Sequence, residues 1–135
     1  MTHLEAMTRE ECMQHLGRSS LGRVAFTHRA LPAIRPVNYA LVGSHLVLRT
    51  ESEGLGQRLD GQIVAFEVDQ IDAEHGSGWS VVLTGTARLL RRQGELVRHD
   101  PLAPVPLAGP GRDGTVCIVP GEISGRRITP ESGVA

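Results

Sequence analysis

Short apolar runs broken by polar and turn residues recur along most of this chain. Leu21 to Thr27 alternates around Val24 and Phe26, and further strand-like runs follow at Ala33 to Val42 and Leu46 to Thr50. Others lie at Ile63 to Asp69, Gly78 to Leu90, Thr115 to Val119 and Ile123 to Ile128. Short apolar runs of this length, bounded by turn signals, read as strands, and there are six or seven of them. The connections between them are too short for helical crossovers, so the sheet is antiparallel and closes on itself. Pro36 within the second segment cannot donate to a ladder, which marks an edge, a bulge or a ligand-facing stretch. Gly85 in the longest segment marks a bulge or a close approach.

Four longer stretches depart from this pattern. Thr8-Arg9-Glu10-Glu11 is a capping box, with Met7 and Cys12 as its hydrophobic staple. It predicts a short helix from Thr8 to Leu16, stopped by Gly17 and lying on the barrel. Ser52 can cap a second helix over Glu53 to Leu59, with Leu55 and Leu59 on one face. A helical turn is expected over Glu95 to His99. Asp100 to Gly114 holds four Pro and three Gly and reads as coil or lid. His28 to Pro32 and Gly43-Ser44 are turns, Gln70 to Gly76 is a loop, and the tail after Thr129 frays.

The expected architecture is therefore mainly β: a six-stranded antiparallel barrel with a short N-terminal helix and one or two small helices. At 135 residues it is one domain, 1–135, with an ordered core of about 7–128. No apolar run approaches the ~20 residues of a membrane span. No secretory signal is visible at Met1 to Glu5, so the expected location is the cytoplasm.

Charge narrows the function. The net charge is −1, and Arg clusters only at Arg88, Arg91 and Arg92 and at Arg126-Arg127. With four aromatic residues in the whole chain, a nucleic-acid surface is not expected. All fourteen cationic residues are Arg, which removes Schiff-base chemistry and a P-loop lysine. Phosphate recognition then falls to Arg forks, hydroxyls and backbone N–H groups. Cys12 and Cys117 read as buried thiols, and the six His show no metal-ligand spacing. His28, His45 and His75 fall in turns and are expected in solvent.

Polar chemistry concentrates in three strand segments. They are Ile34-Arg35-Pro36-Val37-Asn38-Tyr39-Ala40-Leu41, Leu48-Arg49-Thr50-Glu51-Ser52 and Gly78-Trp79-Ser80-Val81. Arginines, hydroxyls and the single Tyr and Trp threaded through apolar strands suit a phosphorylated, planar ligand. Asn38 in an apolar strand is expected to be a buried amide needing partners. Tyr39 is expected in the core or an interface, and Arg126-Arg127 in surface or interface ion pairs.

In order and spacing, these segments resemble the pyridoxamine 5'-phosphate oxidase-like family of FMN-binding split-barrel proteins. The resemblance runs from about Met7 to Ile128. It is carried by Leu16-Gly17-Arg18, Leu21-Gly22-Arg23-Val24-Ala25-Phe26, Pro36-Val37-Asn38-Tyr39 and Leu48-Arg49-Thr50. Val64-Ala65-Phe66-Glu67-Val68-Asp69, Gly78-Trp79-Ser80-Val81 and Ile123-Ser124-Gly125-Arg126-Arg127-Ile128 complete it. The resemblance implies a split barrel that forms a homodimer, with two flavins in grooves at the interface. It places the Pro36-Val37-Asn38-Tyr39 strand beside the isoalloxazine ring, with Arg35 also among the cofactor-binding residues, and Arg49, Thr50 and Ser52 at the ribityl phosphate. Trp79 and Ser80 fall at the cofactor groove or on the facing subunit. Many relatives carry a Ser-Lys pair where this chain has Gly54-Leu55, so the phosphate site loses a cation.

The function that follows is an FMN-dependent oxidoreductase acting on a small molecule such as a nitro compound. No side chain stands out as its general acid or base. FAD or a deazaflavin coenzyme could replace FMN. The alternatives are a non-catalytic flavin, deazaflavin or haem binding protein on the same barrel, and a structural dimer without cofactor.

Overall fold

The computed structural model describes residues 2–50, 54–90 and 115–130. The capping box forms as expected. The Thr8 hydroxyl accepts from the Glu11 N–H at 3.1 Å, and the Glu11 carboxylate accepts from the Thr8 N–H at 3.1 Å. Helix α1 follows over Arg9–Arg18. It does not stop at Gly17: the Ser19 N–H closes it onto the Leu16 carbonyl. Gly17 keeps a negative φ there, so it continues the helix instead of ending it. Met7, Cys12 and Leu16 are buried in the core, fixing the helix to the barrel.

The strands are β1 (Thr2–Ala6), β2 (Leu21–His28), β3 (Leu31–Val42), β4 (His45–Arg49), β5 (Ile63–Asp72), β6 (Ser77–Leu89) and β7 (Thr115–Pro130). All pairings are antiparallel. The order β7-β4-β3-β2-β5-β6 returns to β7 and closes a six-stranded ring, with β1 added along the outer end of β7. Inward residues of the ring form one core, led by Phe66, Leu46, Leu48, Leu83, Ile118 and Val24. This is the expected six-stranded antiparallel split barrel with two short helices.

Three features differ from the sequence-based expectation. Strand β1 was not expected, since five residues with little apolar content carry no strand signal by themselves. Its register against Arg126–Pro130 supplies what the sequence does not. The two segments 115–119 and 123–128 are one strand, β7. Pro120 and Gly121 looked like a break, but Pro120 falls opposite Gly85, where the β6–β7 register shifts. At such a bulge a missing N–H costs no ladder bond. Gly85 thus takes its expected role, and a Cβ there would run into the Val119 carbonyl. Finally, pairing runs on to Asp72 in β5 and to Leu31 and Pro32 in β3, shortening both adjoining turns. The β2–β3 turn is just Arg29 and Ala30, both at positive φ.

Pro36 sits where β3 has a partner on one side only. It pairs with Arg23 of β2, while the β3–β4 ladder ends at Asn38↔Arg49. Helix α2 (Leu55–Leu59) starts later than expected, after Gly54 in the left-handed region and without a side-chain cap. Ser52 and Glu53 lie outside the described residues. So do the turn expected at 95–99, the coil at 100–114 and the tail beyond Pro130. Leu55 and Leu59 are buried, as their spacing required. Gln62 ties the end of α2 to β2 through the Thr27 N–H and carbonyl.

Candidate functional site

Side chains alternate across a strand, so neighbouring candidates are sent to opposite faces. On β3, Val37 and Tyr39 point into the core while Pro36 and Asn38 face outward. Arg35 shares the inward parity but is exposed, and its guanidinium donates to the Ile34 carbonyl at 2.9 Å. On β4, Arg49 faces outward and is the register partner of Asn38. Both are exposed, which overturns the expectation that Asn38 is a buried amide. Thr50, one residue on, is buried. Ser52 lies outside the described residues.

On β6 the pair Trp79-Ser80 divides in the same way. Ser80 faces outward opposite Asp69 and Arg126. Trp79 turns toward the core and stacks on His15 of α1. The structure therefore brings Asn38 and Arg49 together on the outer face. Ser80 joins the same transverse row at a distance: Asn38 pairs with Leu21, two residues from Arg23, and Arg23 pairs with Glu67, two residues from Asp69. Trp79 is on the other side of the sheet. Its partner on β7 is Arg127, that of Arg49 is Thr115, twelve residues earlier in the strand.

Between Asn38 and Ser80 lies a cluster that the sequence reading missed. The Arg23 guanidinium donates to the carboxylates of both Glu67 and Asp69, the latter at 2.7 Å. Burial pushes the Glu67 carboxyl up, reinforced by Asp69, while Arg23 pulls it down. The parity of β5 was the available signal, because it puts Glu67 and Asp69 on one face. Arg127 makes the expected ion pairs, with Glu11 and with Glu5.

The electrostatic difference between Arg49 and these other arginines is plain. Arg23 and Arg127 are each neutralised by two carboxylates, whereas Arg49 has no hydrogen-bond or ion-pair partner among the described residues. An exposed guanidinium beside an exposed amide can hold a phosphate or the polar edge of a planar ring with charge-assisted bonds.

The histidines depart from expectation at two positions, since His28 ends β2 and His45 opens β4. His75 is exposed and pairs with Asp72 at 2.7 Å, and His28 is half-buried. His45 is buried, with no hydrogen-bond partner for Nδ1. It opens β4 directly after the Gly43-Ser44 turn, so its parity with Val47 directs it onto the sheet instead of into solvent. Both thiols are free and buried as expected, and burial pushes Cys117 up to about 11. No group of three metal-type ligands occurs among the described residues, and no helix among them is long and apolar enough to cross a membrane.

The profile of the family described as Pyridoxamine 5'-phosphate oxidase matches residues 8–127. An uncharacterised protein of Mycobacterium tuberculosis is 36% identical over 132 residues, covering 93% of this chain and 86% of its own. Among solved structures, an FAD binding protein from Mycobacterium smegmatis superposes with a TM-score of 0.70 at 26% identity, over 93% of this chain and 98% of its own. A Corynebacterium glutamicum protein provisionally described as a pyridoxamine 5'-phosphate oxidase gives 0.71 at 29% identity, over 95% of this chain and all of its own.

Proposed function

Because the chain belongs to the pyridoxamine 5'-phosphate oxidase-like family of flavin-binding split barrels, we propose that it is a flavin-dependent oxidoreductase acting on a small molecule. The observation that carries this reading is Arg49, with no partner among the described residues, beside Asn38 on the outer face of β3 and β4. In the reading, the Arg49 fork and the Thr50 hydroxyl hold the flavin phosphate, with Ser52 as a further donor. Pro36 and Asn38 meet the ring, the amide taking its polar edge, and Val37 and Arg35 support that strand from its other face. FMN is the first cofactor to test. FAD comes next, because the Mycobacterium smegmatis relative is an FAD binding protein.

A bound flavin supplies the electron and hydride chemistry; the chain supplies binding, orientation and exclusion of water. Trp79 and Ser80 cannot meet one ligand from one face of one subunit, so the reading includes a homodimer in which a partner's surface completes the groove. A nitro compound is the substrate class proposed first, and the cytoplasm the location.

The test is titration of FMN and FAD into the wild type and Arg49→Ala, followed by flavin fluorescence. Loss of a charge-assisted contact worth about 1.5–3 kcal/mol predicts a roughly 10- to 150-fold weaker affinity. Equal affinities would remove Arg49 from the phosphate site. Catalysis is tested separately: a nicotinamide donor should bleach the bound flavin and a nitroaromatic should restore its colour. Binding without bleaching would favour the storage or sensing alternative.

A further inference from the structure

One face of the β5–β6 hairpin changes character along its length. The register partners on that face are Phe66↔Leu83, Val68↔Val81, Gln70↔Trp79 and Asp72↔Ser77. The first two pairs are buried in the core. At the third, Trp79 is half-buried and Gln70 is exposed, and the last pair is polar. Trp79 therefore stands at the mouth of the barrel, with the core on one side and polar side chains on the other. His15 stacks on its ring and holds the indole there.

These side chains line a groove of about 470 Å³. Gly78 lines it as well, and a Cβ there would run into the Gln70 carbonyl, so the two strands meet backbone to backbone beside the indole. Its described lining holds one carboxylate, Asp72, and no arginine. Glu74 adds an exposed negative charge in the adjoining turn. The arginine in register with Trp79 is Arg127, which is already paired with Glu5 and Glu11. A phosphate or carboxylate would find no counter-charge in this groove, whereas a cation would.

We propose that the groove binds a small organic ammonium ion, with the indole of Trp79 against the cation, Asp72 as its counter-charge and Gln70 and Ser77 as hydrogen-bonding groups at the rim. Indole is the best of the side-chain rings for holding a cation. Successive pairs on one face lie about 7 Å apart along a strand, so one ion of this kind can touch both the ring and the carboxylate. Asp72 accepts from the His75 N–H at 3.1 Å and meets the His75 ring at 2.7 Å. These contacts hold its carboxyl below the usual range, so it stays ionised. A carboxylate has about four lone-pair sites, which leaves room for a ligand. The inference does not rest on the flavin reading, since Asn38 and Arg49 lie on the other face of the sheet.

Choline is the probe, compared with its uncharged isostere in which carbon replaces the nitrogen. Choline titrated into the full chain should change Trp79 emission saturably and move the indole N–H resonance. The isostere should bind roughly tenfold more weakly, having lost the cation. Asp72→Asn keeps an acceptor for the His75 N–H and removes the charge, and it should weaken choline roughly fivefold, the upper end for a half-exposed ion pair. The isostere comparison needs no variant and decides alone if Asp72→Asn disturbs the hairpin. No saturable change with choline, equal binding of the isostere, or undiminished binding by a folded Asp72→Asn would each overturn the inference. Displacement of choline by FMN would overturn it too, because the groove would then belong to the cofactor. Choline binding by a protein that takes up no flavin supports this groove and removes the functional reading instead.

Discussion

Trp79 lies stacked on His15, the ring centroids 4.2 Å apart and the planes 25° from parallel. This contact joins β6 to α1 and helps to cover the imidazole. Burial holds the His15 imidazole below its ordinary 6.5, and Arg18 and Arg127 push in the same direction. Its contribution to stability is therefore fully present above pH 6.5. It is lost as pH falls from there toward the folded value, because the unfolded chain takes up the proton first.

Trp79 is the only tryptophan, so its fluorescence should report that titration directly. An imidazolium against the indole quenches it. Emission should fall on acidification with a midpoint below 6.5, and His15→Phe should remove the step. A midpoint at or above 6.5 would contradict the burial of the ring.

A second single chromophore gives the alkaline counterpart. The Tyr39 hydroxyl donates to the Leu16 carbonyl at 2.7 Å, and its ring meets Phe66 edge-on at 5.0 Å. Burial pushes its hydroxyl up to about 12. Ultraviolet titration of the only tyrosine should show no ionisation near pH 10 until the protein unfolds. Since the folded value is raised, the stabilisation holds below pH 10 and is lost as pH rises above it. Tyr39→Phe should cost about 1–2 kcal/mol in urea denaturation, the usual loss for a buried hydrogen bond.

These two residues also show how far the sequence could be read. The strand containing Tyr39 was legible because Val37, Tyr39 and Leu41 keep a strict two-residue period, and that period alone fixes Asn38 as their opposite. Parity also separated Trp79 from Ser80, so their assignment to one site by proximity in sequence was the weaker reading. Strand β1 and the join across Pro120 were not legible. Both depend on which strand lies alongside, and a register between residues 85 and 120 leaves no local trace. The Arg23–Glu67–Asp69 cluster was legible by half: parity sets Glu67 and Asp69 on one face, but the register that brings Arg23 opposite them leaves no local trace.

Close approach of α1 to β7 makes a prediction about packing. Gly125 is buried, and a Cβ there would lie 2.6 Å from both the Cys12 sulfur and the Met7 methyl, and 3.0 Å from the Ser80 carbonyl. Gly125→Ala should therefore destabilise by about 1–3 kcal/mol, the usual cost of overpacking. A lower urea midpoint with an unchanged slope is the expected result.

The thiols give a kinetic test of the core. Burial raises both Cys12 and Cys117, so little thiolate is present near neutral pH. A thiol-specific disulfide reagent at pH 8 should leave the folded protein unmodified, and denaturant should release two reactive groups per chain. Prompt reaction of either thiol without denaturant would show that its layer opens.

Strand β7 hydrogen-bonds to β1, β4 and β6, the widest set of partners in the sheet, and it is the last described strand in chain order. During synthesis, the segment from Leu21 to Leu89 can pair β4-β3-β2-β5-β6 into an open ribbon but cannot close it. Both outer strands then keep unpaired backbone groups until Thr115–Pro130 leaves the ribosome and bridges them. Folding is thus gated by a late, non-local step, which is intrinsically slow and exposes strand edges to association. A chain released before residue 115 would carry nearly the whole apolar core and lack the one segment that seals it.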